Sequence, residues 1–494
     1  ITQMELVDAD ISLERQADGL RNWRLTRPDD RGPARMRVLS LQTLRSQIHV
    51  VHQGVGLTME AASSPLPQSE GELTQRITFS GRYHDAPFAG EALAGPVLSL
   101  QRTGNFFALR GQARSAQTVL QVDGRVADLM KLGGLDAQLQ LSGPSLGQLK
   151  PFFPTQPWPN SKPYQAEARV TRQGDAFTVR ALKARLGSSD LAGEVRYDKK
   201  DERAAVNATL NSERIVLLDL LSLASNSAPA STPPSQRLLP QTALNLAPLN
   251  EVDATVELTA KTLQAPPVPT LKGLRARATL HHGVLQVALQ DSGLAGGRVS
   301  AQFALDNRPQ TPSVNVDMRA RGLRLEQLWH DMPAPAGVEG PLNGQLKLKG
   351  QGRSVAAWLG SATGQLGLTT EGGNLSMRLD AKLGLNAGKL MRSFFTGDKP
   401  VPLRCGALNI TFLNGTGTTR KLVLDTAQTH IEGEGSLRLR EETWALLLTP
   451  RAHKPTLLSL DGSLLAQGTF RGFSYKLDGN KQPGKAANGA CSTP

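Results

Sequence analysis

Three groups of residues in this chain have types and spacing that could do chemistry. His281-His282 places two imidazoles side by side, and imidazole nitrogen is the commonest protein ligand for transition metals. Neighbouring strand residues point to opposite faces, so the pair is expected in a turn before Gly283 and not in a chelate. Gly360-Ser361-Ala362-Thr363-Gly364 carries a serine between glycines, but not at the centre, where a nucleophile elbow needs it. It reads as the end of a helix and a turn. Cys405 and Cys491 lack metal-ligand spacing. In an oxidising compartment they could form a disulfide that ties the tail to the start of the last sheet; in a reducing one they would be two thiols. A phosphate loop, an HExxH and a paired Cys-x-x-Cys are all absent from the sequence. The expectation is a protein with no catalytic residues, no metal and no cofactor.

The residues that could act by binding are apolar. Ile410 and Phe412, then Leu422 and Leu424, Ile431, Leu437 and Leu439, and Trp444, Leu446 and Leu448 alternate with polar neighbours along successive segments. Strand side chains change face with period two, so these segments predict a meander with one apolar and one wet face. Asn414-Gly415 supplies the positive φ values that a tight hairpin turn needs. The ten residues share one parity and make a candidate lipid groove for phospholipid acyl chains. The pattern predicts an open groove, in which a glutamate at Leu439 reaches water and the fold survives with less lipid bound; the alternative, packing against a second sheet or short helices, would bury that glutamate and unfold the domain.

Positioning such a stripe takes a large sheet, and the composition agrees. At 494 residues the chain is too long for one ordinary core. Aromatic residues are 4% and hydrophobic residues 39%, lean for compact packing, while 48 glycines and 31 prolines supply many turns. No window reaches the roughly 18 apolar residues of a membrane-spanning helix. The chain begins at Ile1 within a strand-like pattern, which predicts that a segment upstream has been removed or was never included. The formal charge of +13 suits a solvated basic surface or attraction to anionic lipid. Lysine and arginine are mixed with acidic residues and do not alternate with aromatic residues, so nucleic acid is not expected as a partner.

Coarsely, strands occupy residues 1–222, a Pro/Ser-rich linker residues 223–242, a second set of strands residues 243–478 and a loose tail residues 479–494. Residues 61–72 read as a polar loop. An internal repeat aligns Leu135–Pro154 with Val314–Pro333, with a third copy at Val206–Leu221. Each copy is a strand followed by Leu-x-x-Leu, which predicts a short helix lying on the sheet. Short helices are accordingly expected at Leu146–Phe153, Ile215–Ala224, Leu325–His330 and Val355–Gly360. Repetition at this scale predicts an extended, mainly β assembly. Its open edge offers a second way to act, binding a partner protein by strand addition.

These pieces resemble the AsmA-like family of bacterial envelope proteins. The matching residues are Gly283–Leu289 leading to Leu294-Ala295-Gly296-Gly297, Arg321–Trp329 and Ser361–Leu375. Pro402-Leu403-Arg404-Cys405, Asn414-Gly415 and Gly433-Glu434-Gly435 follow. In the N-terminal half they are Gly19–Leu25, with Asn22-Trp23, then Pro163-Tyr164 and Gly187–Tyr197. The resemblance implies a long, curved antiparallel β-sheet with a hydrophobic trough. It further implies a periplasmic protein anchored in the inner membrane by a segment upstream of Ile1. The role it implies is in outer-membrane biogenesis, with phospholipid carried between membranes or an envelope protein as partner, and it supplies no catalytic residues.

Overall fold

The computed structural model describes residues 4–22, 41–95, 106–127, 134–152, 159–200, 203–224, 237–266, 268–328, 337–384, 398–453, 462–478 and 491. They contain 29 strands and four α-helices, the longest of eight residues, so the chain is mainly β. It divides into two compact units: Ile1–Ser212 with Leu218–Ala228, and Glu213–Leu217 with Pro229–Pro494. Most of the expected linker and tail, together with Trp23, Phe153 and Trp329, lies outside the described residues.

In the N-terminal unit the strands from Gln47–His52 to Arg203–Val216 pair antiparallel with their sequence neighbours. Asp10–Arg15 instead joins Gln47–His52 in parallel. The register sets Ala61, Phe79, Gly90, Ala113, Leu120 and Leu141 in one row across six strands. The opposite face is polar and carries cross-strand ion pairs, Arg110 with Asp123 at 2.9 Å and Arg169 with Asp136 at 2.8 Å. Residues 61–72 are not a loop: the strand Leu57–Glu70 runs through most of them. Its Ser63, Ser64 and Pro65 have no apolar alternation, but they pair with Ile77, Arg76 and Gln75 before the register slips. The partner strand, and not local side-chain pattern, fixes the backbone there.

In the C-terminal unit thirteen strands form one antiparallel ladder from Val252–Ala265 to Phe473–Asp478. Among the described residues, Phe473–Asp478 has a single ladder partner. Consecutive hairpins dominate, which is why turn signals in the sequence mark most strand boundaries. The repeat helices form, though shorter than expected. Leu146–Leu149 is a 3-10 turn, and Leu217–Ala224 and Leu325–Leu328 are α-helices. Val355–Gly360 has the expected bounds; Ser354 caps it by accepting the Ala357 N–H at 3.1 Å. A further helix, Met377–Leu383, begins on the cap Ser376.

Buried carboxylates pin these helices to strand ends. Asp219, in helix Leu217–Ala224, accepts the Ser188 N–H at 2.9 Å, the Ser189 N–H at 3.1 Å and the Ser189 hydroxyl at 3.0 Å. Asp380, in helix Met377–Leu383, is fully buried and accepts the Thr426 and Thr429 hydroxyls at 2.7 and 3.2 Å. Each carboxylate is removed from water but hydrogen-bonded, the condition for burying a charge at tolerable cost.

Asn414 and Gly415 have φ of +49° and +77°, as the hairpin turn requires. The turn rests on the end of helix Val355–Gly360, where the Gly415 N–H reaches the Ala362 carbonyl at 2.8 Å. A Cβ on Gly415 would stand 2.7 Å from the Gly360 carbonyl carbon. Gly415→Ala therefore meets both a strained φ and a backbone collision, and is expected to destabilise the C-terminal unit by at least about 1 kcal/mol in urea unfolding.

Candidate functional site

Nine of the ten groove candidates lie in strands, and cross-strand register puts them on one face of the C-terminal sheet. Leu408 opposes Leu422, Leu424 opposes Ile431, and Leu437 opposes Trp444, while Leu446 and Leu448 face Gly435 and Gly433. Gly433 makes room for its neighbours: a Cβ there would stand 2.6 Å from Leu422 and 2.9 Å from Leu448. The same face continues toward the N-terminus. Leu258, Ala276, Leu289, Ala301, Met318, Leu346, Leu366 and Ile410 form one unbroken row across eight strands. The candidate stripe begins only at Ile410, although period-two alternation in Val314–Ala320 and Leu342–Leu348 carries the same signal.

Exposure along this face is graded. Its middle rows are half-buried, including Leu346, Leu366, Ile410, Leu422 and Leu446. Four candidates are buried: Phe412 (3% exposed), Ile431 (1%), Leu439 (8%) and Leu448 (9%). Phe412 and Leu439 pack with Ala362, against Leu348, Leu359, Leu366, Ile410, Leu437 and Phe470. Leu439 lies just beyond the strand Thr429–Arg438, and its N–H bonds the Gly415 carbonyl at 2.9 Å. At the same ends of the strands, Leu246 packs on Leu305 and Val314 with Trp358 beside them. Residues 237–242, expected as linker, are ordered there. The buried Glu442 carboxylate accepts the Leu239 N–H at 3.0 Å as well as the Leu238 N–H, and the Pro240 carbonyl accepts the Ala356 N–H at 3.1 Å. Helix Val355–Gly360 and this segment thus close one end of the face and bury Leu439, which is not in an open groove as expected; helix Met377–Leu383 closes the other over Thr426, Thr429 and Ile431, while the middle stays half-exposed.

The other face is polar and holds a cluster the sequence did not reveal, because its members come from separate strands. Cys405, Asp425, His430 and Arg451 stand in one cross-strand row. Asp425 lies 3.1 Å from His430 Nδ1 and 3.0 Å from His453 Nε2, with Arg404 at 3.6 Å. Burial disfavours the Asp425 charge, but the hydrogen bonds from His430 and His453 outweigh it, leaving the carboxyl below its ordinary range. Cys405 and Cys491 are joined in a disulfide with Cα atoms 5.9 Å apart, closing a sequence separation of 86. Such a loop is worth about 4–5 kcal/mol in the chain-entropy account.

The two imidazoles of His281 and His282 do not diverge as strand geometry predicts. His282 takes φ +49° in the turn, its ring centroid comes 4.0 Å from that of His281, and Asp253 lies 3.4 and 4.0 Å from their Nδ1 atoms. These three side chains could ligate a divalent ion. They also explain the turn without one, since Asp253 accepts the His282 N–H at 2.9 Å.

A many-stranded antiparallel sheet, apolar on one face and capped at its ends by short helices, defines the class of protein. Within that class, the AsmA family model matches residues 173–422, and the chain belongs to the AsmA family. It is also 26% identical over 446 residues to the AsmA family protein YhjG of Escherichia coli (strain K12), an alignment covering 84% of this chain and 65% of that protein. The chain therefore spans less than two thirds of that relative's length. Among the described residues, no helix is long and apolar enough to cross a membrane.

Two outcomes follow from the geometry. Leu439→Glu buries a carboxylate among Ala362 and Phe412 and should cost more than about 2 kcal/mol, whereas Leu446→Glu, half-exposed, should cost less than half as much in the same chemical denaturation assay. Because the Asp425 pKa is lowered in the fold, its contribution is fully present above the ordinary carboxylate range near 4 and is lost as pH falls through the lowered value. Unfolding free energy should accordingly drop less steeply below pH ~4 in Asp425→Asn than in the parent chain, as followed by urea titration across pH.

Proposed function

We infer that the C-terminal sheet binds phospholipid acyl chains along its apolar face, as a lipid-handling component of the bacterial envelope that serves outer-membrane biogenesis. The observation that carries this reading is the half-exposed apolar row across eight strands, Leu258 to Ile410. Seven interstrand steps of about 4.8 Å make that row roughly 34 Å long. Monomers rarely leave apolar patches above a few hundred Å² in water, and at roughly 25 cal/mol per Å² an alkyl chain laid along the row gains from every methylene it buries. Membership of the AsmA family supports an envelope role. The proposed location is periplasmic, with an inner-membrane anchor upstream of Ile1, and the proposed action is binding and transfer without catalysis. A scaffold role by strand addition is the second reading, favoured by the single ladder partner of Phe473–Asp478 among the described residues.

The test is direct. A photoreactive residue at Leu346 or Leu446 should crosslink phospholipid in cells, and organic extracts of protein purified without detergent should contain phospholipid by mass spectrometry. Clean extracts together with no lipid adduct at either position would remove the lipid reading and leave the scaffold.

A further inference from the structure

The polar face of the C-terminal sheet carries an unbalanced concentration of cations at the strand ends opposite to those closed by Leu246 and Leu439. Arg298 and Arg321 are direct cross-strand partners, and Arg319 opposes Ser300 one row away. Lys272 extends the row of Arg298 and Arg321 through its pairing with Gly293. Arg275 lies on the same strand as Lys272, and all five side chains are exposed. Cross-strand partners hold their Cβ atoms about 5 Å apart, and like charges so placed repel. None of the five makes an ion pair among the described residues. Of the nearby acids, Asp317 is engaged by Lys347 at 3.8 Å, and Asp291, in the bulge between Leu289 and Ser292, pairs with none of them. Elsewhere in the same unit the exposed cations Arg277, Arg308 and Lys347 have an acidic partner; Lys349, Arg420 and Arg438 make no ion pair among the described residues either, but none of them faces a second cation directly as Arg298 faces Arg321.

We propose that Lys272, Arg275, Arg298, Arg319 and Arg321 form a docking surface for an anionic phospholipid bilayer. Guanidinium groups bind phosphate oxygens through paired N–H donors, and uncompensated arginines a few ångströms apart are relieved by an array of phosphates. The cations come from three of four neighbouring strands of one sheet surface, a layout suited to an extended anionic interface, and no aromatic side chain is interleaved to stack a nucleic-acid base. The patch also lies on the sheet whose reverse face is the apolar row, so docking brings that row to a membrane surface. This last point rests on the lipid reading above; the docking itself does not.

The full chain is to be incubated with sucrose-loaded vesicles of phosphatidylcholine, with or without phosphatidylglycerol, and sedimented. Binding should require phosphatidylglycerol and weaken as salt is raised. Removing two of the charges in Arg298→Gln/Arg321→Gln should reduce the partition coefficient by roughly 25-fold, at about one charge's surface attraction per residue. Lys349→Gln, an exposed cation near the other strand ends, should stay near the unmodified chain. Binding indifferent to phosphatidylglycerol or to salt overturns the proposal through the unmodified protein alone. Sedimentation of a folded double variant like the parent, or a preference of the patch for duplex DNA over vesicles, overturns it as well. Photocrosslinking of lipid at Leu446 separates the two ideas. Its absence there and at Leu346, with clean extracts and vesicle selectivity intact, removes only the lipid reading; its persistence without vesicle selectivity removes only the docking surface.

Discussion

Everything in the C-terminal unit depends on a register held through thirteen strands. Because side chains alternate faces, a slip of one residue at any pairing would turn a whole strand's leucines into water. The bulges at Leu289/Ser292, Ala320/Leu323 and Asn409/Ile410 show the tolerance of this arrangement. Each shifts the pairing, yet Val299 opposes Ser292, Leu323 opposes Leu342 and Ile410 opposes Thr419, so these apolar side chains keep a cross-strand neighbour across the irregularity.

A face of this extent has to be stopped at its ends, and polar interactions do much of that work. Glu442 holds Leu238 and Leu239, and through them the segment that carries Leu246 into its cluster. Asp380 fixes helix Met377–Leu383 beside Thr426 and Thr429, and Asp219 does the corresponding work at Ser188 and Ser189 in the N-terminal unit. A hydrophobic contact has no direction, whereas a carboxylate accepting two or three hydrogen bonds accepts only one placement. The short helices have too few residues to be stable alone, and these bonds decide where they sit.

The two faces of the sheet differ in chemistry. One is apolar and half-open between its ends, suited to chains that exclude water. The other is charged, with cross-strand ion pairs such as Arg277–Glu257 and Lys347–Asp317 and a group of exposed arginines at one border. On the two proposals above, this division would put hydrocarbon and phosphate binding on opposite sides of one layer of backbone.

The sequence alone determined the mainly β class, most hairpin boundaries and the parity of the candidate stripe. All of these come from local signals: period-two alternation, Asn414-Gly415, and Leu-x-x-Leu after a strand. It also placed helix Val355–Gly360, because Ser354 is a capping residue next to an apolar turn. Tertiary structure alone decided which side chains meet between strands. The strand through Ser63 and Pro65 exists because Leu73–Tyr83 offers it a ladder. Leu439 and Leu446 share a face and look alike in sequence, but only Leu439 lies beneath the residues that close one end. His281 and His282 converge on Asp253 because a positive φ reverses the strand's alternation at that turn. The Asp425 cluster and the facing Arg298 and Arg321 join residues 5 to 49 positions apart in the chain. Such encounters are fixed by the registers of whole hairpins, which no local pattern of residues encodes.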